Sequence, residues 1–373
     1  MKILMLNYEY PPLGGGAANA TYYLLREFNS RKDIEVDLVT SSAKGILEIE
    51  QFSDLITIHK LPIRKKSIHY WTLPEIISYS LKARSYIKNL KPDSYDLIHA
   101  FFGIPCGVLA HRYRKKTPYV VSLRGSDVPG FNERFSLQYI LLNPIIRKVW
   151  KDAAFVVSNS VGLSDLAHKT EPGLQIEMIL NGIDLAAFPV RVERNDGNFV
   201  ILTVARLIKR KGIGDLIEAM PIVIEKCRNV KLIIIGEGNL ERELCDQVSE
   251  LGLMDFIEFK GYVPHENLPK YYALSNLFVL PSYNEGMSNT ILEAMAAGLP
   301  IITTNTGGTS ELIEGNGIVV QAGDTQSIGN AILQYIYDPN MIANHGEKSR
   351  EKAKLMEWGQ VANQYYQLFC EVI

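Results

Sequence analysis

The sequence predicts an α/β protein built from two doubly wound parallel sheets. Three observations point to this class. The chain of 373 residues is too long for one ordinary core. Short apolar runs alternate with longer amphipathic stretches through both halves. Glycine and charged residues follow many of the apolar runs, and in parallel sheets these positions at the carboxyl ends of strands bind ligands.

Composition narrows the class of protein further. Hydrophobic residues make up 47% and charged residues 21%, as in globular proteins, and no run of about 20 apolar residues is present to cross a membrane. The net charge of −2 combines +5 over residues 1–188 with −7 over the remainder. This asymmetry fits two domains with different partners, the basic one facing anionic lipid or an anionic acceptor, although harmless surface charge is an alternative. The four cysteines lack metal-ligand spacing and no signal peptide is evident, which favours a cytoplasmic protein.

The first half opens with a buried strand at 3–7, a loop containing Gly14, Gly15 and Gly16, and a helix at 17–28. Glycines at the end of a strand let the backbone approach a ligand closely, although a flexible turn would also contain them. The spacing is not the dinucleotide pattern G-x-G-x-x-G, which disfavours a nicotinamide dehydrogenase. Further strands are predicted at 36–40, 56–61, 96–100, 119–123, 154–157 and 177–180.

Segment 62–91 is both basic and aromatic, and its part from 74 to 90 has the apolar spacing of a helix. Basic residues beside exposed aromatic residues suit the inner membrane surface or a lipid-linked acceptor. A solvated helix face is the alternative.

Polar residues at the ends of three predicted strands are candidates for an acceptor site. His99 either lines the binding surface or is a buried structural histidine, and we expect the former. Arg124, beside a glycine, is suited to bind phosphate or carboxylate, and Asp127 either joins it in the site or merely pairs with it. Asn181 starts the turn Asn-Gly-Ile-Asp at 181–184.

A polar segment at 190–198 is the predicted linker, and a second α/β series follows it. Its first strand, 199–205, ends at Arg206, and Lys211 precedes a helix at 214–227. The other predicted strands are 230–235, 257–260, 277–280, 300–303 and 317–320, and glycines stand at the ends of two of them, at Gly236 and at Gly261 before Tyr262. An apolar helix at 358–372 is expected to pack back on the first half.

The stretch 284–298 is the central feature of the second half. It follows a buried strand and opens a helix at Met287, Ser288, Asn289 and Thr290, where free backbone N–H groups can bind an anion. Two carboxylates flank this helix start, Glu285 and Glu293. With Arg206 and Lys211 the site suits a pyrophosphate that carries hydroxyl-bearing groups on both sides, which describes a nucleotide sugar. No Asp-x-Asp is placed to hold Mg²⁺, so we expect metal-free catalysis without a cofactor.

Together these features resemble retaining glycosyltransferases of family 4, with the GT-B fold of two Rossmann-like domains facing a central cleft. The resemblance covers the whole chain. Its most specific parts are the glycine turn at 236–238 and the pair Glu285 and Glu293, which match the E-x7-E pattern. It implies an acceptor domain at 1–189, a donor domain at 190–355 and a returning C-terminal helix at 356–373.

The resemblance also implies roles for single residues. Glu285 is expected to contact hydroxyls of the donor sugar and Glu293 the ribose, while Arg206 and Lys211 hold the diphosphate. Other implied donor contacts are backbone groups at Gly15, Gly16, Gly261 and Tyr262, and domain closure is expected to bring Gly15, Gly16 and Arg124 onto the donor. One departure concerns Arg124, which stands where the family often has a histidine; as a permanently charged group it cannot act as a base.

The expected function is transfer of a sugar from a UDP- or GDP-sugar, with retention, to a glycan or lipid-linked acceptor in polysaccharide or glycolipid synthesis. A nucleotide-sugar 2-epimerase, a phosphorylase or a non-catalytic nucleotide-sugar-binding scaffold are the alternatives; a phosphorylase is disfavoured because it usually has a pyridoxal lysine and a longer chain. We expect no nucleic-acid partner.

Overall fold

The computed structural model describes the backbone of residues 1–68, 70–131, 136–192 and 197–373, and their side chains except those of 136–138. His69 of the basic aromatic segment and residues 193–196 of the predicted linker therefore lie outside the described residues. The chain divides into two compact units. The first unit comprises Met1–Asn181 and Trp358–Ile373, and the second comprises Gly182–Glu357.

The first unit is built on a sheet whose described strands run in the order β3-β4-β2-β1-β5-β6-β7-β8. All neighbours pair in parallel except β3 and β4. The prediction of a wholly parallel sheet is wrong at this edge, because β3 is polar and largely exposed and has no apolar run. The strands are β1 (Lys2–Leu6), β2 (Glu35–Ser42), β3 (Glu48–Ser53), β4 (Ile56–Pro62), β5 (Leu97–Phe101), β6 (Tyr119–Ser122), β7 (Phe155–Ser158) and β8 (Ile176–Met178).

Helices cover this sheet, and the C-terminal helix α13 (Trp358–Val372) is one of them. It packs against α1 (Gly16–Phe28), and Tyr365 and Phe369 on its inner face belong to the same hydrophobic core as the central strands. The other helices of the unit are α2 (Leu73–Asn89), α3 (Val108–His111), α4 (Ser136–Lys151) and α5 (Val161–Thr170). The boundary after Asn181 lies earlier in the chain than the predicted one at 189/190.

The second unit has a parallel sheet in the order β11-β10-β9-β12-β13-β14 within the described residues. Its central strands are buried apolar runs, as expected for strands covered on both faces. The strands are β9 (Phe199–Val204), β10 (Val230–Ile235), β11 (Ile257–Phe259), β12 (Leu277–Leu280), β13 (Ile301–Thr304) and β14 (Gly317–Val320). The helices are α6 (Ile213–Lys226), α7 (Glu241–Glu250), α8 (Pro269–Ala273), α9 (Asn289–Ala296), α10 (Thr309–Leu312), α11 (Thr325–Tyr337) and α12 (Pro339–Lys354).

Part of the basic aromatic segment is structural. The Lys65 side chain is buried, with its Nζ 3.1 Å from Glu75 Oε2 and 3.6 Å from the centre of the Trp71 ring. Glu75 also accepts a hydrogen bond from the backbone N–H of Thr72 and forms the capping box that starts α2. Exposed apolar side chains of the segment are Ile68 and Tyr70 before α2 and Leu73, Ile77 and Leu81 on it.

Among the described helices, none is both long enough and apolar enough to cross a bilayer.

Candidate active site

The centre of the second unit's site is a buried ion pair between Lys211 and Glu285. Lys211 Nζ contacts Glu285 Oε1, and Ser282 Oγ donates a second hydrogen bond to the same oxygen at 2.9 Å. The two charged side chains are only 12% and 10% exposed. Gly212 makes this approach possible, because its φ is +66° and a Cβ there would lie 2.1 Å from the carbonyl oxygen of Pro281.

Three cations surround this carboxylate. Burial raises the pKa of Glu285, but the charges of Lys211 and Arg210 and the hydrogen bonds from Lys211 and Ser282 outweigh burial, so the pKa lies below its usual value. Arg206, exposed at the end of β9, acts electrostatically on Lys211. Glu285 is therefore ionised, and the local charge is positive even after pairing, which favours binding of an anion.

The helix beside this cluster begins within the predicted stretch from Met287 to Thr290. It starts at Asn289, with Ser288 as the preceding cap residue. Met287 and Ser288 are buried. The loop between β13 and α10 packs on this segment. A Cβ on Gly308 of that loop would lie 2.2 Å from the carbonyl oxygen of Gly286. The side chain of Ser288 makes no capping bond, so the first-turn N–H groups are not closed off by it.

Both oxygens of Glu293 have partners within the second unit. Tyr272 Oη donates to Glu293 Oε2 at 2.7 Å, and His265 Nε2 lies 3.1 Å from Oε1. The hydrogen bond and the charge of this carboxylate raise the pKa of His265 although burial opposes them. Sequence reasoning did not find His265 and Tyr272, because one histidine and one tyrosine around a short helix form no recognisable spacing.

The predicted glycines of β10 and β11 hold the ends of neighbouring strands together. Gly236 has a φ of +133°, and a Cβ there would lie 1.9 Å from the carbonyl oxygen of Ala205, next to Arg206. Its N–H donates to the carbonyl oxygen of Gly261 at 2.9 Å. Tyr262 is 57% exposed. The predicted residues of this unit thus lie at the carboxyl ends of β9 to β12, where parallel sheets bind ligands.

In the first unit, Gly15 and Gly16 are exposed at the start of α1. A Cβ on Gly15 would meet no atom within 4 Å, so the backbone there is open to a ligand. The carboxylate of Glu9 approaches the same loop, since Gly15 N–H donates to Glu9 Oε2 at 3.3 Å. Glu9 also lies under Gly14, whose φ is +99°.

Arg124 is held by contacts on several sides. Its Nη1 donates to Asn181 Oδ1 at 2.9 Å and its Nη2 to Tyr365 Oη at 3.1 Å. The guanidinium lies over the ring of Phe101, 4.5 Å from the centre. The backbone N–H of Arg124 donates to Asp127 Oδ1 at 2.9 Å. These contacts orient a permanent cation at the end of β6.

The expectation that His99 lines a binding surface is wrong. His99 is fully buried, packs against Phe101, Tyr365 and Phe369, and shares a hydrogen bond of 2.8 Å with Ser122 Oγ. Burial and the charge of Arg124 lower its pKa to about 3, so the ring is neutral. β5 turns this side chain towards α13, and the pattern of a single strand cannot show which helix covers it.

Asp127 and Asn181 are also buried and act within the first unit. Asp127 accepts the backbone N–H groups of Gly103 and Arg124, which makes it a loop-closing residue and not a partner of the Arg124 guanidinium. Burial raises its pKa although these bonds oppose the shift. Asn181 Oδ1 accepts from Arg124 and from Asn159 Nδ2. Among the described residues no group of three or more His, Cys, Asp or Glu side chains forms a metal site.

Two protein-family models match consecutive parts of the chain. Glycosyltransferase Family 4 matches residues 14–187, and Glycosyl transferases group 1 matches residues 187–352. A capsular polysaccharide biosynthesis glycosyltransferase of Staphylococcus aureus is 27% identical over 355 residues, which are 88% of this chain and 87% of the relative.

Solved structures are similar over the full length. Sucrose-phosphate synthase from Thermosynechococcus elongatus has a TM-score of 0.83 at 21% identity and covers 100% of this chain and 99% of its own. The Anabaena protein HepE, solved in complex with UDP-glucose, has a TM-score of 0.73 at 21% identity and covers 100% of both chains. At such identities the likeness shows the fold alone, while the family models cover nearly the whole sequence. The chain therefore belongs to glycosyltransferase family 4 and has the GT-B fold.

Proposed function

We propose that this glycosyltransferase moves a sugar from a UDP- or GDP-sugar, with retention of configuration, to a glycan or lipid-linked acceptor in cell-surface polysaccharide or glycolipid synthesis. The observation that carries the donor assignment is the buried Lys211–Glu285 pair with Arg206 and Arg210 around it. The similarity to HepE, which was solved with UDP-glucose, and to the staphylococcal capsular enzyme supports the donor and acceptor classes.

In this proposal the diphosphate lies against Arg206, Lys211 and the first turn of α9. These groups stabilise the charge that develops on the departing nucleotide, without a metal ion. Glu285 remains ionised and accepts hydrogen bonds from sugar hydroxyls, and Glu293 does the same for the ribose. His265 and Tyr272 orient Glu293 by occupying one lone pair on each of its oxygens.

Retention follows when the acceptor attacks from the side on which the diphosphate leaves. The bond between the anomeric carbon and the phosphate oxygen breaks, and the acceptor oxygen forms the new bond on the same face. The acceptor proton goes to the departing phosphate oxygen. Arg124 then serves as a fixed cation for phosphate or sugar oxygens and not as a proton acceptor.

The first unit also has a surface suited to a membrane-bound acceptor. On α2, exposed Leu73, Ile77 and Leu81 are followed by exposed Arg84 and Lys88. On α4, exposed apolar residues are likewise followed by basic ones, namely Ile140, Leu141 and Ile145, then Arg147 and Lys148. Apolar and basic side chains in this order suit contact with an anionic lipid surface and support the proposal that the protein acts at the inner face of the cytoplasmic membrane.

The decisive experiment is a screen of UDP- and GDP-sugars by thermal shift, followed by transfer assays with the donor that binds. A ligand that binds only the folded state raises the melting temperature, and the increase grows with the ratio of its concentration to its Kd. We expect Arg206→Ala to abolish transfer with an unchanged melting temperature, because Arg206 is exposed. Arg228→Ala, which removes an exposed cation on the N-terminal side of β10, is the matched control.

Other outcomes select other functions. Conversion of the donor without any acceptor indicates a 2-epimerase. Donor binding in calorimetry with neither conversion nor transfer indicates a non-catalytic nucleotide-sugar-binding scaffold. To test the membrane contact, the protein is sedimented with lipid vesicles. We expect it to sediment with anionic but not with neutral vesicles, and Leu81→Asp to abolish this sedimentation. Equal sedimentation of the variant and the wild type contradicts the membrane contact.

A further inference from the structure

A chain of hydrogen bonds links the C-terminal helix to Arg124 within the first unit. Arg124 Nη2 donates to Tyr365 Oη at 3.1 Å, Tyr365 Oη is 3.0 Å from Ser122 Oγ, and Ser122 Oγ is 2.8 Å from His99 Nε2. Tyr365, Ser122 and His99 are buried, so their polar atoms cannot exchange partners with bulk water.

The Arg124 guanidinium limits which group donates in each of these hydrogen bonds. It can only donate, so Tyr365 Oη accepts from it. One arrangement leaves no hydroxyl proton unused: Tyr365 O–H donates to Ser122, and Ser122 O–H donates to His99 Nε2. A neutral His99 ring accepts at Nε2 in the tautomer whose proton is on Nδ1, a buried atom without an acceptor among the described residues.

This arrangement restrains the guanidinium of Arg124. Phe101 lies under its plane, Asn181 binds Nη1, and Tyr365 binds Nη2. A free arginine side chain samples many rotamers, and these contacts remove that freedom before any ligand binds. The remaining N–H groups on Nη1 and Nη2 then have fixed directions, which matters for a group that must meet developing charge.

We propose that Tyr365 is a positioning residue that holds Arg124 in the orientation required for sugar transfer. The proposal rests on the proposed function, in which Arg124 contacts the reacting groups. It assigns to α13 a role in the active site in addition to its role in the core. Ser122 and His99 extend this role, because they keep the Tyr365 proton away from Arg124 and leave the phenol oxygen free to accept.

The test compares Tyr365→Phe with Tyr366→Phe. The first variant keeps the ring that packs on His99 and Phe369 and removes only the oxygen. The second removes a neighbouring hydroxyl on the same helix, which binds Asp33 far from Arg124. We expect Tyr365→Phe to lower kcat about tenfold with little change in donor KM, since a hydrogen bond to a charged group is lost. Tyr366→Phe should retain the wild-type kcat.

A double-mutant cycle separates positioning from general stability. In an Arg124→Ala background, Tyr365→Phe should cause no further loss of kcat, because the group that it positions is gone. Equal losses in both backgrounds, or a wild-type kcat in Tyr365→Phe, would overturn the proposal.

A crystal structure of Tyr365→Phe provides a readout that does not depend on activity. We expect the Arg124 guanidinium to leave its place over Phe101 or to occupy several conformers. An unchanged, well-ordered Arg124 overturns the positioning role even if the enzyme proves inactive on every donor tested. Absence of transfer by the wild type, with Arg124 displaced in the variant, instead contradicts the proposed function alone.

Discussion

At the residue scale, the buried pair of Lys211 and Glu285 couples stability to the proposed donor binding. Each charge loses its hydration in the folded unit. Each is compensated chiefly by the other, and Glu285 is compensated also by Ser282 and Arg210. Removal of one partner therefore differs from removal of both.

Lys211→Ala should lower the free energy of unfolding by about 3–5 kcal/mol, because it leaves the Glu285 carboxylate buried without its cation. The double variant Lys211→Met with Glu285→Gln should recover much of that stability and still lack transfer. Urea unfolding and initial rates measure the two effects. If the double variant were as unstable as the single one, the ion pair would not be the cause.

His265 gives a prediction about pH. Its pKa is raised in the folded state by Glu293, so the interaction stabilises the protein at pH values below the unfolded histidine pKa of about 6.5. This contribution disappears as the pH rises through the folded pKa. His265→Gln should therefore reduce the melting temperature at pH 5.5 and change it little at pH 8.5. A reduction that is the same at both pH values contradicts the assignment.

At the element scale, the loops that form the site depend on glycines whose backbone approaches another strand end. Gly212 and Gly236 each have positive φ and each would place a Cβ within about 2 Å of a carbonyl oxygen. Such contacts bring Arg206, Lys211 and Glu285 to one edge of the sheet. The helix start at α9 then adds its N–H groups to the same edge.

Gly212→Ala should be more destabilising than Gly252→Ala. Both positions have a φ near +66°, so alanine costs about 1 kcal/mol at each from backbone strain alone. At Gly252 the new Cβ meets no atom within 4 Å, whereas at Gly212 it overlaps Pro281. Differential scanning calorimetry should show a clearly larger fall in melting temperature for Gly212→Ala. Equal falls would mean that the loop can move aside without cost.

At the scale of the whole molecule, the C-terminal helix α13 belongs to the first unit, which otherwise consists of the N-terminal part of the chain. Its apolar residues Val361, Phe369 and Leu368 are in the core of that unit. Burial of each such side chain contributes about 1.5–3 kcal/mol to the stability of the folded unit. Without α13, the face of α1 that it covers would be exposed to water. The core of the first unit is therefore incomplete without α13.

In a chain ending at Glu357 the first unit should fail to fold, while the second unit, Gly182–Glu357, is left whole. A chain lacking only Val372 and Ile373, which are half-buried and exposed, should fold normally. Soluble yield and the amplitude of thermal unfolding followed by circular dichroism are the measurements. If the chain ending at Glu357 kept the full unfolding amplitude per residue, α13 would be dispensable for the first unit.

Much of the architecture could be predicted because parallel strands buried on both faces are short, continuous apolar runs. Strand β12, which is buried throughout, was predicted at its observed bounds for this reason. The bounds of β10 and β14 were also predicted, although neither strand is buried along its whole length. The edge strand β3 was not predicted, since a polar strand has no apolar run and its pairing with β4 is a tertiary property. The start of α9 was predicted only to within 287–290, and the structure puts it at Asn289, because the loop at Gly308 packs on Gly286 and Met287.

By itself the sequence determined the α/β class and the two-sheet organisation. It also determined that the candidate donor-site residues Arg206, Lys211, Glu285 and Glu293 follow the carboxyl ends of strands, because strand–loop–helix turns place such residues there whatever the packing. Only the tertiary structure decided which partners those residues have. His265 and Tyr272 meet Glu293, and Tyr365 meets Arg124, through contacts between elements that lie far apart in sequence. It also placed His99 in the core. The sequence pattern of a strand shows which side chains share a face of the sheet, whereas the burial of those side chains depends on which helix covers that face.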